Sequence, residues 1–147
     1  MTGGTVLRRL ASTLVLVIVA VACAFGVNAN AAVGHAIASC GPAPHVMTGK
    51  PALPPKFPTP AKVSYSSSTK VGPSIIVKGF YASGNLTAIH HAYSKALKAA
   101  GYTITHEEQD AADSEVVWKG HGKTGQVALA KRCTSRILIT IPVRPAG

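Results

Sequence analysis

Residues Leu10 to Val27 run for eighteen positions without a charge, directly behind the basic pair Arg8 and Arg9. A stretch of that apolarity is not stable in water, so the export machinery or a bilayer has to receive it, as a hydrophobic helix. The chain beyond it is therefore expected to fold outside the cytoplasm, anchored in a membrane or secreted. Ala29-Asn30-Ala31 offers the small-x-small pattern of a cleavage site before Ala32. Eighteen apolar residues are long for a removable signal and just enough for a tilted span, so residues 1–31 read as signal sequence or membrane anchor.

Two segments resemble a bacterial lipobox. Ala20-Val21-Ala22-Cys23 has Ala20 where leucine is usual, which makes Cys23 a candidate for lipidation. Ile37-Ala38-Ser39-Cys40 fits the pattern better but stands beyond Asn28, Asn30 and His35, detached from the apolar core of the leader. The Arg pair also resembles a twin-arginine signal, although Leu10-Ala11-Ser12 departs from it. With Cys23 inside the leader, Cys40 and Cys133 remain, and two thiols in an oxidising compartment are expected to pair. Neither has the C-x-x-C spacing of a redox catalyst.

From Val33 to Ala61 the chain is punctuated by Gly and Pro, with Pro42, Pro44, Pro51, Pro54, Pro55, Pro58 and Pro60. Proline at that density blocks helices and ladders and favours extended chain, so residues 32–62 read as a semi-rigid linker. About 85 residues, 63–147, then remain for one small domain.

Within it, Ser74 to Tyr81 is rich in β-branched and aromatic residues and reads as a strand. Asn85 is placed to cap a helix in which Leu86, Ile89, Tyr93, Leu97 and Ala100 form one apolar stripe, with Gly101 at its C-terminal stop. Thr87, His91, Ser94, Lys95 and Lys98 fall on the opposite side, and His90 borders the stripe. Strands are expected over Tyr102–Glu107, Glu115–Lys119, Gln126–Arg132 and Arg136–Val143, the last with Ile137, Ile139 and Ile141 on one face. The order β-α-β-β-β-β predicts a two-layer α+β domain, one helix on a mainly antiparallel sheet of four to five strands. With the first strand beside the last, every neighbouring pair is antiparallel.

Fifteen Lys and Arg stand against five acids. Removing Arg8 and Arg9 leaves thirteen bases against the same five acids, a net of +8 beyond the leader. All the acids (Glu107, Glu108, Asp110, Asp113, Glu115) fall in one nine-residue window, read as a loop, and the remainder is uniformly basic. Such a surface attracts anionic lipid headgroups or acidic envelope polymers, or serves solubility alone. Charge also suits nucleic acid, but aromatic interleaving is sparse and no specific nucleic-acid partner is expected.

No stretch carries a specific catalytic motif. His90 and His91 are adjacent on the helix and diverge by about a hundred degrees, so they cannot share an ion as an i, i+4 pair does. No H-E-x-x-H and no Cys/His cluster occurs, and neither metal nor cofactor is expected. The acidic window lacks the Asp/Asn alternation and central glycine of a calcium loop. Gly120 to Gly125 contains Gly-Lys-Thr, but Val117 stands where a phosphate loop needs its first glycine, and G-x-S-x-G is absent. Asn85-Leu86-Thr87 is a glycosylation sequon that helix capping already explains.

The layout is similar in style to small bacterial envelope proteins. The leading expectation is a non-enzymatic extracytoplasmic binding module, held to the membrane by its N-terminal segment or secreted. Its basic face would meet an anionic lipid, an envelope polymer or a protein partner through Lys95, Lys98, Lys131 and Arg132. One alternative is a small metal-assisted hydrolase using His90, His106 or His121 with the acidic loop. Another is a regulatory nascent chain, since Arg144-Pro145-Ala146-Gly147 resembles, in altered order, the endings of exported translation-arrest peptides.

Overall fold

A computed structural model describes residues 38–147. The leader, Cys23 and the cleavage-like junction lie outside the described residues. Among the described residues six strands and one helix occur in chain order: β1 (Val63–Val71), β2 (Ser74–Tyr81), α1 (Leu86–Ala99), β3 (Thr103–Gln109), β4 (Asp113–Gly120), β5 (Lys123–Cys133) and β6 (Arg136–Pro145). They form one sheet in the order β1-β2-β6-β5-β4-β3, antiparallel throughout. The architecture is α+β, as the element order implies, with β2 beside β6. The strand count is six, not four to five, because the added strand is β1. Its sequence, Val-Ser-Tyr-Ser-Ser-Ser-Thr-Lys-Val, is too polar to announce a strand. It is an edge strand with a bulge between Tyr65 and Ser67, and Tyr65 alone is buried.

The helix begins where Asn85 Oδ1 accepts from the Ala88 N–H at 2.9 Å. It ends in a Schellman arrangement: Tyr102 N–H donates to the Leu97 carbonyl at 3.0 Å, and Gly101 (φ +84°) N–H to that of Lys98 at 3.2 Å. Glycine is suited there because a side chain at that φ is strained. Between β4 and β5 the chain turns in two residues, His121 (φ 50°) and Gly122 (φ 69°), with Gly120 opposite Lys123. Positive φ at both positions is what a tight hairpin turn of the primed type requires. The glycine-rich stretch 120–125 is thus mostly strand. The acidic window is also strand on both sides, with only 110–112 between β3 and β4.

On the face that carries the helix the sheet presents Val77, Val116, Trp118, Val127, Leu129, Ile137, Ile139, Ile141 and Val143, all buried. Ile89, Tyr93 and Leu97 meet them from α1. A fourteen-residue helix is about 21 Å long and about 10 Å wide. Six strands at about 4.8 Å spacing span about 24 Å, so one helix covers roughly half the sheet. The helix lies over β3, β4 and β5. The remainder is covered by the proline-rich segment, which belongs to the same compact unit, His35–Gly147.

Over its described part that segment is not the linker its composition implies; it is a strap laid on the core. Met47, Leu53 and Phe57 pack against the buried cluster. The Phe57 ring sits 5.1 Å from that of Trp118 and 5.7 Å, edge-on, from that of Tyr102. The Tyr102 hydroxyl donates to the Pro55 carbonyl at 2.9 Å, and Met47 N–H to the Tyr65 carbonyl at 2.8 Å. Proline suits this role because an extended chain rich in it has few backbone donors to satisfy when it is laid on apolar surface.

Cys40 and Cys133 form a disulfide across a separation of 93 residues, with Cα atoms 4.9 Å apart. It fastens the start of the strap to the β5–β6 turn, beside the Thr134 N–H that donates to Ala38 O at 3.0 Å. A loop of that length corresponds to roughly 4–5 kcal/mol in the chain-entropy model. Reduction, or Cys40→Ala with Cys133→Ala, is expected to lower unfolding stability by up to that amount in urea titration. Phe57→Ala, which uncovers Trp118, should cost about 2–3 kcal/mol, below the value for a fully buried Phe.

Candidate functional site

The four expected basic residues lie on two elements. Lys95 and Lys98 are exposed on α1, whereas Lys131 and Arg132 end β5 beside the acidic turn. Two of them have carboxylate partners. Arg132 holds Asp113 bidentately at 2.6 and 3.1 Å, and Lys98 Nζ lies 3.5 Å from Glu107 Oε1. Lys131 is half-buried at the β5 bulge, its N–H donating to the Ala112 carbonyl.

The three candidate histidines lie in separate surroundings. His90 is buried under α1, Nδ1 2.5 Å from Ser114 Oγ, and His91 stacks edge-on against it at 5.4 Å. His106 is exposed on β3, 3.6 Å from Glu108. His121, in the β4–β5 turn, donates from Nε2 to the Ala100 carbonyl at 3.2 Å, with its ring 4.8 Å from that of Tyr102. Among the described residues no three His, Cys, Asp or Glu side chains come together as a metal site. No described helix is long and apolar enough to cross a membrane.

Ser94, placed by periodicity on the outer side, is buried instead, because its hydroxyl donates to Glu107 on β3. That bond holds the Glu107 carboxyl below the usual range, with nearby Lys98 adding to the effect and partial desolvation opposing it. Desolvation pushes the His90 imidazole below its ordinary value, against the opposing pull of Glu107; His91 and Lys98 add to the lowering.

A hollow of about 370 Å³ lies on the sheet face away from the helix, at the acidic end. Glu108, Asp110, Asp113 and Glu115 line it above a floor of Ala128, Ala130 and Leu138. Its charge is reduced by Arg132 on Asp113.

The other end of the sheet is different. The β1–β2 and β4–β5 turns and the end of β6 meet there, as the pairs Val71↔Ser74, Gly120↔Lys123 and Lys123↔Pro145 require. Lys119, Thr124 and Arg144 stand opposite one another on three adjacent strands, which puts Lys119 and Arg144 on one face about 10 Å apart. Lys123 is one position along from Thr124, and Lys70 stands opposite Ile75. Lys70, Lys119 and Arg144 are exposed and Lys123 is half-exposed; among the described residues none has an ion-pair partner. The acids lie at the far end of β3 and β4. The nearest acid along the strands, Glu107, is level with Val116, three strand residues or about 10 Å from Lys119, beyond the roughly 8 Å over which salt screens at physiological strength. This end therefore keeps its positive field.

Between the strap and the sheet at the same end is a notch of about 160 Å³. Leu53, Pro54 and Pro55 line one side and Pro73, Ile75 and Val143 the other, with Lys123 and Arg144 alongside. Nearby, the fully buried Trp118 indole N–H finds no hydrogen-bond partner among the described residues. Sequence reading missed this cluster because its four cations are spread over 75 positions, from residue 70 to 144, and only sheet register unites them.

The His90 geometry sets a pH dependence. An unfolded imidazole titrates near 6.5 and the folded one lower, so the unfolded chain takes up a proton first on acidification. This contribution to stability is complete above about pH 7 and falls as the pH drops below about 6.5. Urea midpoints are expected to fall between pH 7.5 and 5.5, and His90→Gln to flatten that slope; a slope unchanged by the substitution contradicts the assignment. Glu107 acts in the same direction in a lower window, below the ordinary carboxylate range.

No family model, no curated protein and no solved structure matches this chain, so the use of the cationic end has to be argued from its own residues.

Proposed function

We propose that the protein is an exported, non-enzymatic binding module that docks on an anionic surface of the cell envelope through the end formed by the β1–β2 and β4–β5 turns. The observation that carries this reading is the separation of charge along the sheet. All five acids sit at or near the β3–β4 turn, two of them engaged with Arg132 and Lys98, while Lys70, Lys119, Lys123 and Arg144 stand at the opposite end, without carboxylate partners among the described residues. A field of one sign at one end of a small rigid domain orients its approach to a polyanion. The apolar leader and the Cys40–Cys133 bond both suit an oxidising compartment outside the cytoplasm, with the domain held by its leader or released.

Each cation near an anionic membrane contributes about 1 kcal/mol, so four correspond to about a thousandfold in affinity. The test uses the full chain in zwitterionic nanodiscs, titrated onto immobilised phosphatidylglycerol vesicles. Binding is expected to weaken steeply with salt. Alanine at Lys70, Lys119, Lys123 and Arg144 together should lower it by two to three orders of magnitude. The same change at Lys95, Lys98, Lys131 and Arg132 should cost less, because Lys98 and Arg132 already serve carboxylates. Equal losses from the two quartets, or no binding at low salt, would remove the reading.

A further inference from the structure

Resting on that reading, we infer that the notch between the strap and the β2–β6 pair is a site for a single anionic lipid. The phosphate lies at Lys123 and Arg144, and the glycerol backbone with its first methylenes lies between Leu53 and Pro55 on one side and Ile75 and Val143 on the other.

The lining makes the case for an amphiphile over a plain anion. A bare polyphosphate uses the cations and leaves the apolar walls wet. An anionic lipid uses both, because its charge and its first methylenes are joined within a few bonds. The volume is consistent with this part of a lipid. About 160 Å³ admits a short run of methylenes and not a whole lipid. The cations are available, since neither Lys123 nor Arg144 has an ion-pair partner among the described residues. The walls are fixed as well. Tyr102 holds the Pro55 carbonyl, the Ala52 N–H donates to Ser68 Oγ at 3.1 Å, and Ile75 stands opposite Val143 in the sheet.

The test is a chain-length series on the full chain in zwitterionic nanodiscs: glycerol 3-phosphate, then dibutyroyl- and dihexanoyl-phosphatidylglycerol, monitored by chemical shifts at Ile75, Val143 and Lys123. A methylene buried against these walls gains roughly fourfold in affinity, so the dibutyroyl lipid is expected to bind at least tenfold tighter than glycerol phosphate, with little further gain at six carbons. Ala52→Trp, which narrows the mouth without changing charge, should abolish that gain while leaving salt-dependent retention on polyphosphate intact. Lys123→Ala with Arg144→Ala should weaken every ligand in the series. Equal affinity for glycerol phosphate and the lipids would overturn the lipid site and leave anionic docking standing. Loss of binding to phosphatidylglycerol vesicles and to polyphosphate alike would overturn both. Should Ala52→Trp fail to fold, the series on the unaltered chain decides the matter alone.

Discussion

A six-stranded sheet that buries one face needs a cover about as wide as itself, and this chain has one described helix of fourteen residues to supply it. The uncovered half is closed by Met47, Leu53 and Phe57, which reach the core from an extended, proline-rich strap. Extended chain cannot stabilise itself through internal hydrogen bonds. It is held by a few contacts: Phe57 on Trp118 and Tyr102, the Tyr102 hydroxyl on the Pro55 carbonyl, and Met47 on Tyr65. The Cys40–Cys133 bond ties down the strap's beginning, so that the unfolded chain has less freedom to lose when the strap is laid in place. The core, the strap and the disulfide are in this sense one device.

The same arrangement sorts the charges. Glu107 turns toward the helix, where Ser94 and Lys98 receive it, and Asp113 turns to the open face, where Arg132 does. These contacts use basic residues near the acidic turn. Cations at the other end of the strands lie beyond screening distance of any acid and keep their field. The middle of the strap, Leu53 to Pro55, passes that same end, which is why apolar walls and cations adjoin there.

Much of the fold was legible. The strand Ser74–Tyr81 has the bounds its β-branched run implies, and the helix falls within a residue of its periodic stripe, between Asn85 and Gly101. Those features are local, since a cap or an alternating pattern is set by neighbours a few positions away. The failures share a cause. β1 is polar because it is an edge strand with one buried residue, Tyr65, and so shows no alternation. Ser94 and His90 are buried because β3 and β4 bring Glu107 and Ser114 to them, contacts 13 and 24 residues distant. The acidic window is divided between two strands by a register that no local signal announces.

The sequence by itself determined the helix, most strands, the antiparallel order, the pairing of the two cysteines and a basic balance outside one acidic window. Each comes from short-range periodicity or from counting. Only the tertiary structure decided that the proline-rich segment covers the core, and that Lys70, Lys119, Lys123 and Arg144 stand at one end of the sheet while Lys98 and Arg132 are engaged. The physical reason is that coverage and charge pairing depend on which distant strands lie side by side, and strand register is settled by the packing of the whole buried face.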